Sequence, residues 1–566
     1  MHQLDWLILI GFLAYTLWDG MRPKGGKATL SQQLLADRSM KGWAVGLSVM
    51  ATQASAITFI GTTGLAFMQD MRFVQVYLAV PVAMIILSVT LVPLFQRSGV
   101  TTAYEALEGR FGLSTRLLTS FMFLLSRGAS LGITIAAPAY VLAIILGIKL
   151  WVTILIIGFV ATVYTMFGGI AGVIRTDIKQ MILMLFGLVF CFGWIWWKLP
   201  SEVSTIDALK LAGVSGKLST IDFHFDLRDK YNVWSGLIAG TFLMLSYFGA
   251  DQSQVQRYLS AKTLTDARSS LMMSAIFKVP MQFFILLLGA LMFVFFIFED
   301  RPLLFWPDAS MESSEVWSEA YESLQDNRRS AAYEYLENPA DAAARNDFLS
   351  SNTQIDLLRK QELQQISQDT GKHRDDTNYV FPWFILHHLP IGMVGLIIAA
   401  IMAAALSSID SMLNSLATSS VIDWYRRLHT HERSDTHYLL ATRWATALWG
   451  IFATVVAMAF GETESIVELV NILGSYFYGP ILGVFALLWI PRANQKGALW
   501  GLMVGLGAVI LVGGIHVGCE SGQFAFFWPM THVPPSYEPY IQYLWLNPIG
   551  VLVTIVVGAL FALRRK

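Results

Sequence analysis

Apolar runs of about 20 residues recur along the whole chain. A helix needs about 20 apolar residues to cross the hydrocarbon core of a bilayer, so each run predicts one membrane span. The predicted spans lie near residues 4–19, 43–68, 73–95, 117–147, 150–167, 177–197, 233–255, 272–298, 385–423, 439–460, 465–490, 497–517 and 542–563. The pattern therefore predicts an all-α polytopic membrane protein with about 13 transmembrane helices.

The first apolar run has no basic segment before it and no small-residue cleavage site after it, so we expect a retained helix and not a signal peptide. The composition agrees with a membrane protein, because 55% of the residues are hydrophobic and only 14% are charged. The net charge of -1 and the absence of a basic stripe predict no nucleic-acid partner. Cys191 and Cys519 give neither a disulfide framework nor a metal-ligand spacing.

Basic residues concentrate in alternate loops, which sets the orientation of the predicted spans. With the N-terminus outside, the cytoplasmic loops hold the basic clusters at 22–41, 97–116, 175–179, 257–268, 426–433 and 492–496. We therefore expect an N-terminus outside, a cytoplasmic C-terminus, and a place in the cell (plasma or inner) membrane. The polar segment 300–384 then lies outside as a helical insertion, and its sequence leaves open whether it is a solvated spacer or takes part in solute access.

Two spans are interrupted by polar residues and glycines. Residues 50–64 contain Gln53, Ser55 and Thr58 beside two glycines, and residues 243–254 contain Gly249 among polar neighbours. Unwound backbone at membrane depth is tolerated only where it faces protein or a wet cavity, and paired interrupted spans indicate a transporter site between inverted repeats. Tight helix packing through small residues is the alternative.

The segment AALSSIDSMLNSLATSSVID at 404–423 places hydroxyls, an amide and carboxylates inside an apolar span. Such residues are costly at membrane depth, which favours an ion or solute site. Two further motifs are GGIAGVIRTDIKQ at 168–180 and DQSQVQRYLSAK at 251–262. With these three motifs in this order, the chain resembles the sodium/solute symporters, which include sodium-coupled glucose, proline, sialic-acid and monocarboxylate carriers.

The resemblance implies a five-plus-five inverted-repeat, LeuT-like core and import of a small organic solute with sodium by alternating access. The chain then divides into 1–42, the first transmembrane helix and a cytoplasmic loop; 43–299, the first repeat and the start of the second; the insertion 300–384; 385–490, the rest of the second repeat; and 491–566, two C-terminal helices. The expected partners are sodium, a small solute and the lipid bilayer.

The resemblance also implies a sodium site made from the carbonyls of Ala51, Ala54 and Ala404 and the hydroxyls of Ser407 and Ser408. Sodium is a hard cation that prefers such oxygen ligands, and no fixed carboxylate is needed. The alternative for the two serines is that their hydroxyls bond to carbonyls one turn earlier in the same helix.

A second sodium position, present in some members of the family, would use Asp177, Ser407, Asp410 and Ser411. Ser407, Asp410 and Ser411 share one helical face. Asp410 departs from the hydroxyl residue usual there, so a bound sodium and a proton both stay open. The alternative for Asp177 is an interfacial ion pair with Arg175.

The solute contacts implied by the resemblance are Ser55, Thr58, Gln75 or Tyr77, Arg127 and Tyr247. Arg127 lies deep in its span, where a guanidinium could hold a carboxylate through two parallel hydrogen bonds. A structural arginine paired with helix carbonyls is the alternative. We interpret Lys278 as a residue that snorkels to the cytoplasmic face. The solute itself, a sugar, a sialic acid or a carboxylate, stays open.

A sodium- or solute-sensing receptor without transport is the rival function. The sequence ends about three residues after its last predicted span, which leaves no cytoplasmic output domain, so we favour transport. No nucleophile, base and orienting residue can be assembled from the spacing, so we do not expect an enzyme.

Overall fold

The computed structural model describes residues 1–22, 29–306, 315–370, 375–429, 431–460, 466–517, 524–526, 538–539 and 541–563. The helices of the first half are α1 (Gln3–Met21), α2 (Leu30–Leu35), α3 (Gly42–Gln53), α4 (Thr63–Met68), α5 (Val74–Tyr77), α6 (Ala79–Val89), α7 (Leu91–Ser98), α8 (Glu105–Leu146), α9 (Leu150–Lys198), α10 (Thr205–Val214), α11 (Gly240–Gly249), α12 (Gln252–Leu259) and α13 (Leu264–Phe298).

The helices of the second half are α14 (Glu315–Glu337), α15 (Ala342–Thr370), α16 (Val380–His388), α17 (Met393–Ser419), α18 (Arg426–Leu428), α19 (Asp435–Phe460), α20 (Ile466–Ala486), α21 (Gln495–Gly514) and α22 (Leu546–Leu563). Three short antiparallel strands, β1 (Ile515–Val517), β2 (Phe524–Phe526) and β3 (Glu538–Pro539), lie in the order β2-β1-β3. Short π-helical turns at Thr58–Thr62, Ser235–Ala239 and Ser420–Tyr425 adjoin α4, α11 and α17.

Among the described residues, ten helices are individually long and apolar enough to cross a membrane, and a bent helix pair brings the number to 11. The two further predicted spans arise where helices are broken. The structure joins 150–167 and 177–197 into the single bent helix α9, and it divides 233–255 into the shorter pieces α11 and α12. The all-α, polytopic class is as predicted, and the count of about 13 spans stays a prediction.

The bend in α9 lies at Gly169, within the GGIAG motif. Its φ of 53° is left-handed, a conformation that glycine adopts without strain. A Cβ at this position would lie 2.6 Å from the carbonyl oxygen of Gln33, and one at Gly172 would lie 2.7 Å from that of Gly20 in α1. The glycines therefore let α9 bend and pack closely against the N-terminal segment.

The interrupted span at 50–64 forms a broken helix. Helix α3 ends at Gln53, and the chain resumes at Thr58 with its axis turned by 62°. Ala54 has a non-helical backbone (φ −87°, ψ 66°) and is fully buried. Helix α17 packs against α3, α8 and α9, so the break faces the predicted polar segment 404–423.

The second break separates α11 from α12 at Ala250 and Asp251. Asp251 caps α12, because its side chain accepts a hydrogen bond from the backbone N–H of Ser253 at 2.8 Å. Polar and glycine residues at 50–64 and 243–254 thus mark two real interruptions of helical structure.

Helices α14 and α15 pack against each other, and α14 packs against the end of α13. Gln325 donates to the carbonyl of Phe296 at 2.7 Å, and Arg328 donates to the same oxygen. A cation at a helix C-terminus is favourable because it satisfies free carbonyls and opposes the helix dipole.

Nearby, a Cβ on Gly64 of α4 would lie 2.0 Å from the carbonyl oxygen of Thr377. The insertion therefore touches the broken helix directly.

Candidate functional site

The hydroxyls of α17 meet the end of α3 at the first helix break. Ser407 Oγ lies 2.9 Å from the carbonyl oxygen of Ala51 and 3.1 Å from that of Ala404. Ser408 Oγ lies 2.9 Å from the carbonyl oxygen of Thr52 and 3.3 Å from that of Ala404. All five residues are buried. Carbonyl and hydroxyl oxygens thus converge between two helices, which is a donor set that fits a hard monovalent cation.

Two predicted features of this cluster have different outcomes. The alternative of hydroxyls bonded within their own helix is present, but each serine also reaches across to α3. Ala54 is buried at the break, whereas Thr52, two residues earlier, supplies the carbonyl that Ser408 contacts. The sequence reasoning missed Thr52 as a member of the cluster.

The predicted second sodium position holds a side-chain cation. The Arg257 guanidinium lies 3.3 Å from Asp177 Oδ2 and donates to the hydroxyls of Thr52 and Ser411. Ser48 donates to the same Asp177 oxygen at 2.5 Å. Arg257 and Asp177 are both fully buried. The alternative for Asp177 was an ion pair with Arg175, but Arg175 instead lies 3.6 Å from the carboxylate of Asp19 in α1.

Asp410 lies beside this ion pair with partners of its own. Tyr164 donates to Asp410 Oδ2 at 2.6 Å, and Ser411 donates to Oδ1 at 3.0 Å. The cluster therefore combines one guanidinium with two carboxylates, those of Asp177 and Asp410. With both carboxylates ionised, its net charge is one negative unit at membrane depth, which attracts one monovalent cation.

A cavity of about 140 Å³ lies next to the serine cluster. Among the predicted solute contacts, it is lined by Ser55, Thr58, Tyr77, Arg127 and Tyr247. The prediction of Gln75 as an alternative to Tyr77 is corrected. The Gln75 amide donates to the carbonyl of Tyr231 at 2.8 Å and accepts from the backbone N–H of Asp222 at 3.0 Å. Gln75 thus holds the loop that contains Asp222 and Tyr231, while Tyr77 faces the cavity.

Arg127 lies at the cavity wall, but its charge is already paired. Its guanidinium contacts Asp251 Oδ2 through Nε and Nη2. The rings of Tyr247 and Tyr478 lie 5.1 Å and 5.3 Å from the guanidinium carbon, within cation–π range. The alternative of a structural arginine is therefore closer to the geometry, although its partner is a carboxylate and not a helix carbonyl.

Lys278 does not snorkel to the cytoplasmic face, which corrects our interpretation of it. Its side chain is fully buried, and its Nζ lies 5.5 Å from the centre of the Tyr77 ring. Within the part of the chain that the structure describes, Nζ has no hydrogen-bond partner. A buried, unpaired ammonium is costly, so Lys278 is a candidate for binding an anionic or electron-rich solute group.

A sequence profile of the sodium:solute symporter family matches residues 34–324 and 357–505, which is most of the chain. The chain belongs to this family. A sodium/sialic acid symporter of Proteus mirabilis is 27% identical over 90% of this chain and 89% of its own length. The human sodium-coupled monocarboxylate transporter 2 is 24% identical over 95% of this chain and 79% of its own length.

A solved structure of a sodium-coupled sialic acid symporter, substrate-bound and outward-open, shares the fold of this symporter. The TM-score is 0.75 at 24% sequence identity, with 99% of this chain and 97% of the other covered. The predictions of a sodium:solute symporter, of a LeuT-like all-α fold and of sodium as the coupling ion are confirmed. The protein is a multi-pass membrane transporter.

Several buried charged residues at the candidate site were not identified from the sequence. Arg257 and Asp251 lie inside the motif 251–262, and their buried pairing was not evident from it. For Lys278 the signal was present, because an ionisable residue inside a membrane span is a functional-site candidate by default.

Proposed function

We propose that this symporter imports a small organic carboxylate together with sodium by alternating access. The observation that carries the proposal is the convergence of the Ser407 and Ser408 hydroxyls with the carbonyls of Ala51 and Ala404 across the first helix break. Sodium bound there would join α3 to α17 and order the unwound backbone next to the solute cavity. Ala54 stays a predicted further ligand.

We infer that Arg257 serves as a tethered cation at the second predicted sodium position. Its guanidinium contacts both Asp177 and Ser411, two of the predicted ligands. Asp410 then provides the remaining negative charge, which sodium or a proton would balance. The coupling stoichiometry therefore depends on whether Asp410 exchanges its cation during transport.

The solute proposal rests on the two buried cations near the cavity. Arg127 is neutralised by Asp251, so a solute carboxylate would have to displace Asp251 from the Arg127 guanidinium. Lys278 has no such partner among the described residues, and its Nζ lies 5.5 Å from the centre of the Tyr77 ring, which lines the cavity. Lys278 is therefore the better candidate to hold a carboxylate, with Ser55 and Thr58 as hydroxyl contacts. A sugar, bound through its hydroxyls, is the alternative.

Uptake into proteoliposomes tests this function. Monocarboxylates, sialic acids, sugars and amino acids would be screened under an inward sodium gradient and again after the gradient is collapsed, with a pH-sensitive dye inside. We expect sodium-stimulated uptake of a carboxylate. Acidification of the lumen that requires Asp410 would assign a proton to that residue. Sodium independence in every solute class would overturn the symport proposal.

The variant Lys278→Met tests the solute assignment. We expect it to reduce carboxylate uptake at least about tenfold, because a charged hydrogen bond is lost. Lys179→Met is the matched control, since Lys179 is partly exposed and pairs with Asp19. Unchanged carboxylate uptake by Lys278→Met would remove Lys278 from the solute site.

The orientation, with the N-terminus outside in the cell (plasma or inner) membrane, is proposed from the distribution of basic residues.

A further inference from the structure

A second, larger cavity lies between the insertion and the membrane helices. It has a volume of about 830 Å³, within the range of small-molecule sites. Its walls come from α14, α15, α16, the outer end of α8 and the segment that follows α13. It shares no lining residue with the cavity beside Arg127. Solute transport as proposed above does not use it.

Four buried polar side chains face this cavity, and each has an atom without a hydrogen-bond partner among the described residues. These atoms are Arg301 Nε, Tyr321 Oη, Gln325 Oε1 and Glu362 Oε2. The exposed fractions are 9% for Arg301, 7% for Tyr321, 6% for Gln325 and 2% for Glu362. Buried polar groups normally have partners, so four such atoms around one cavity indicate that a ligand or ordered water supplies them.

Two ion pairs lie at the rim of the cavity, whereas two buried charges in its interior are unpaired among the described residues. At the rim, Arg329 lies 3.6 Å from Asp300 and 3.7 Å from Asp326, and all three are at least partly exposed. In the interior, Arg301 and Glu362 form no ion pair with any residue in the described ranges. One buried cation and one buried carboxylate in a single cavity match a ligand that carries both opposite charges.

The remaining walls are apolar and aromatic. Trp383 and His387 stack at 4.3 Å between ring centres, and Phe305, Leu303 and Ile144 also line the cavity. Such walls suit the hydrocarbon or aromatic part of a ligand, and an aromatic face also attracts an ammonium group. Burial raises the pKa of Glu362, and a bound ammonium would offset that cost.

We propose that this outer cavity binds a free α-amino acid with an apolar or aromatic side chain, with its carboxylate on Arg301 and its ammonium on Glu362. Tyr321 and Gln325 supply the remaining hydrogen bonds, and the side chain lies against Trp383. Arg301 also lies 5.5 Å from the ring of Phe67 in α4. The ligand therefore binds a residue that contacts the outer half of the broken helix.

Calorimetric titration of the full-length protein in lipid nanodiscs tests the proposal with three matched probes. These are L-phenylalanine, phenethylamine, which lacks the carboxylate, and 3-phenylpropionate, which lacks the ammonium. We expect L-phenylalanine to bind in choline chloride as well as in sodium chloride. Each of the other probes should bind at least about tenfold more weakly, because a charged hydrogen bond is missing.

Two variants should change this preference in opposite ways. Arg301→Gln should make L-phenylalanine bind no better than phenethylamine, and Glu362→Gln should make it bind no better than 3-phenylpropionate. A variant that merely misfolds cannot remove the preference over one probe and keep the preference over the other. Glu334→Gln, an exposed change on α14, and Ser408→Ala, at the proposed sodium site, should leave the titration unchanged.

Three outcomes would overturn the proposal. Failure of all three probes to bind at millimolar concentration would mean that water alone satisfies the buried groups. Equal binding of all three would mean apolar binding without recognition of charge. Binding that requires sodium and is weakened by Ser408→Ala would assign L-phenylalanine to the transport site.

Discussion

The two helix breaks of this symporter differ in what contacts the interrupted backbone. At the first break, the carbonyls of Ala51 and Thr52 accept hydrogen bonds from the neutral hydroxyls of Ser407 and Ser408. At the second break, Asp251 caps α12 and pairs with the buried guanidinium of Arg127. The carbonyls at the first break have neutral partners, whereas the second break is held by a fixed ion pair.

This difference separates an exchangeable contact from a permanent one. A neutral hydrogen bond contributes about 1 kcal/mol net, so an arriving cation can replace it at little cost. Removing one partner of a buried ion pair costs about 3–5 kcal/mol, because the other charge is left buried and uncompensated. The first break therefore suits reversible ion binding, and the second suits a structural joint.

The largest expected effect comes from removing the charge at the second break. Asp251→Ala should destabilise the protein by about 3–5 kcal/mol, because Arg127 loses its carboxylate partner and α12 loses its cap. Thermal unfolding of the purified protein, together with the yield of monodisperse protein, measures the effect.

Asp207→Ala is the control, since Asp207 is a partly exposed carboxylate paired with Lys210 at 2.9 Å. It should cost less than about 1 kcal/mol. The double variant Asp251→Ser with Arg127→Met should recover much of the stability, because no buried charge is left unpaired. A single variant as stable as the parent would mean that the second break is not held by its ion pair.

A smaller effect, on ion binding, is expected at the first break. Ser408→Ala should raise the sodium concentration for half-maximal uptake about tenfold, because one oxygen ligand is lost. Sodium-dependent uptake in proteoliposomes measures it. Ser415→Ala is the control, because the only partner of this buried α17 hydroxyl among the described residues is the carbonyl of Met412. Equal sodium dependence in both variants would contradict the assigned ligands.

The smallest effect is expected from the tyrosine hydroxyl nearest the fixed joint. Tyr478 lies 3.4 Å from Asp251 through its hydroxyl, a long hydrogen bond, and its ring lies against Arg127. Tyr478→Phe keeps the ring, so it should change stability by less than about 1 kcal/mol in the same unfolding measurement. A loss as large as that of Asp251→Ala would mean that the hydroxyl, and not the ion pair, stabilises the break.

The positions of the breaks could be predicted because their cause is local. Glycines and polar residues within an apolar run interrupt a membrane helix wherever that run packs. The segment 404–423 was also predictable as a site, because its hydroxyls and Asp410 are costly in lipid. Membership in the sodium:solute symporter family followed from motifs that are continuous in sequence.

The partners of buried charges could not be predicted in the same way. Arg257 meets Asp177 and Ser411 only because α12, α9 and α17 pack together, and local sequence does not encode that packing. Gln75 and Tyr77 lie two positions apart on a short helix, so they face different sides, and hydropathy does not say which side faces the cavity.

Lys278 lies deeper in its helix than predicted, for a geometric reason. Helix α13 is 35 residues long and begins at Leu264. Lys278 lies 14 positions after that start, which is about 21 Å along a helix that rises 1.5 Å per residue. A lysine side chain does not span that distance, so Lys278 stays buried.

The close contact of Gly64 with Thr377 has a consequence for motion in this transporter. A methyl group at Gly64 would lie 2.0 Å from the Thr377 carbonyl, and one at Gly289 of α13 would lie 2.2 Å from the Thr63 carbonyl. Surfaces packed backbone to backbone slide past one another poorly, since interiors are close-packed. We therefore expect α4, α13 and the chain around Thr377 to move as one rigid body, so that the insertion is carried along whenever α4 tilts.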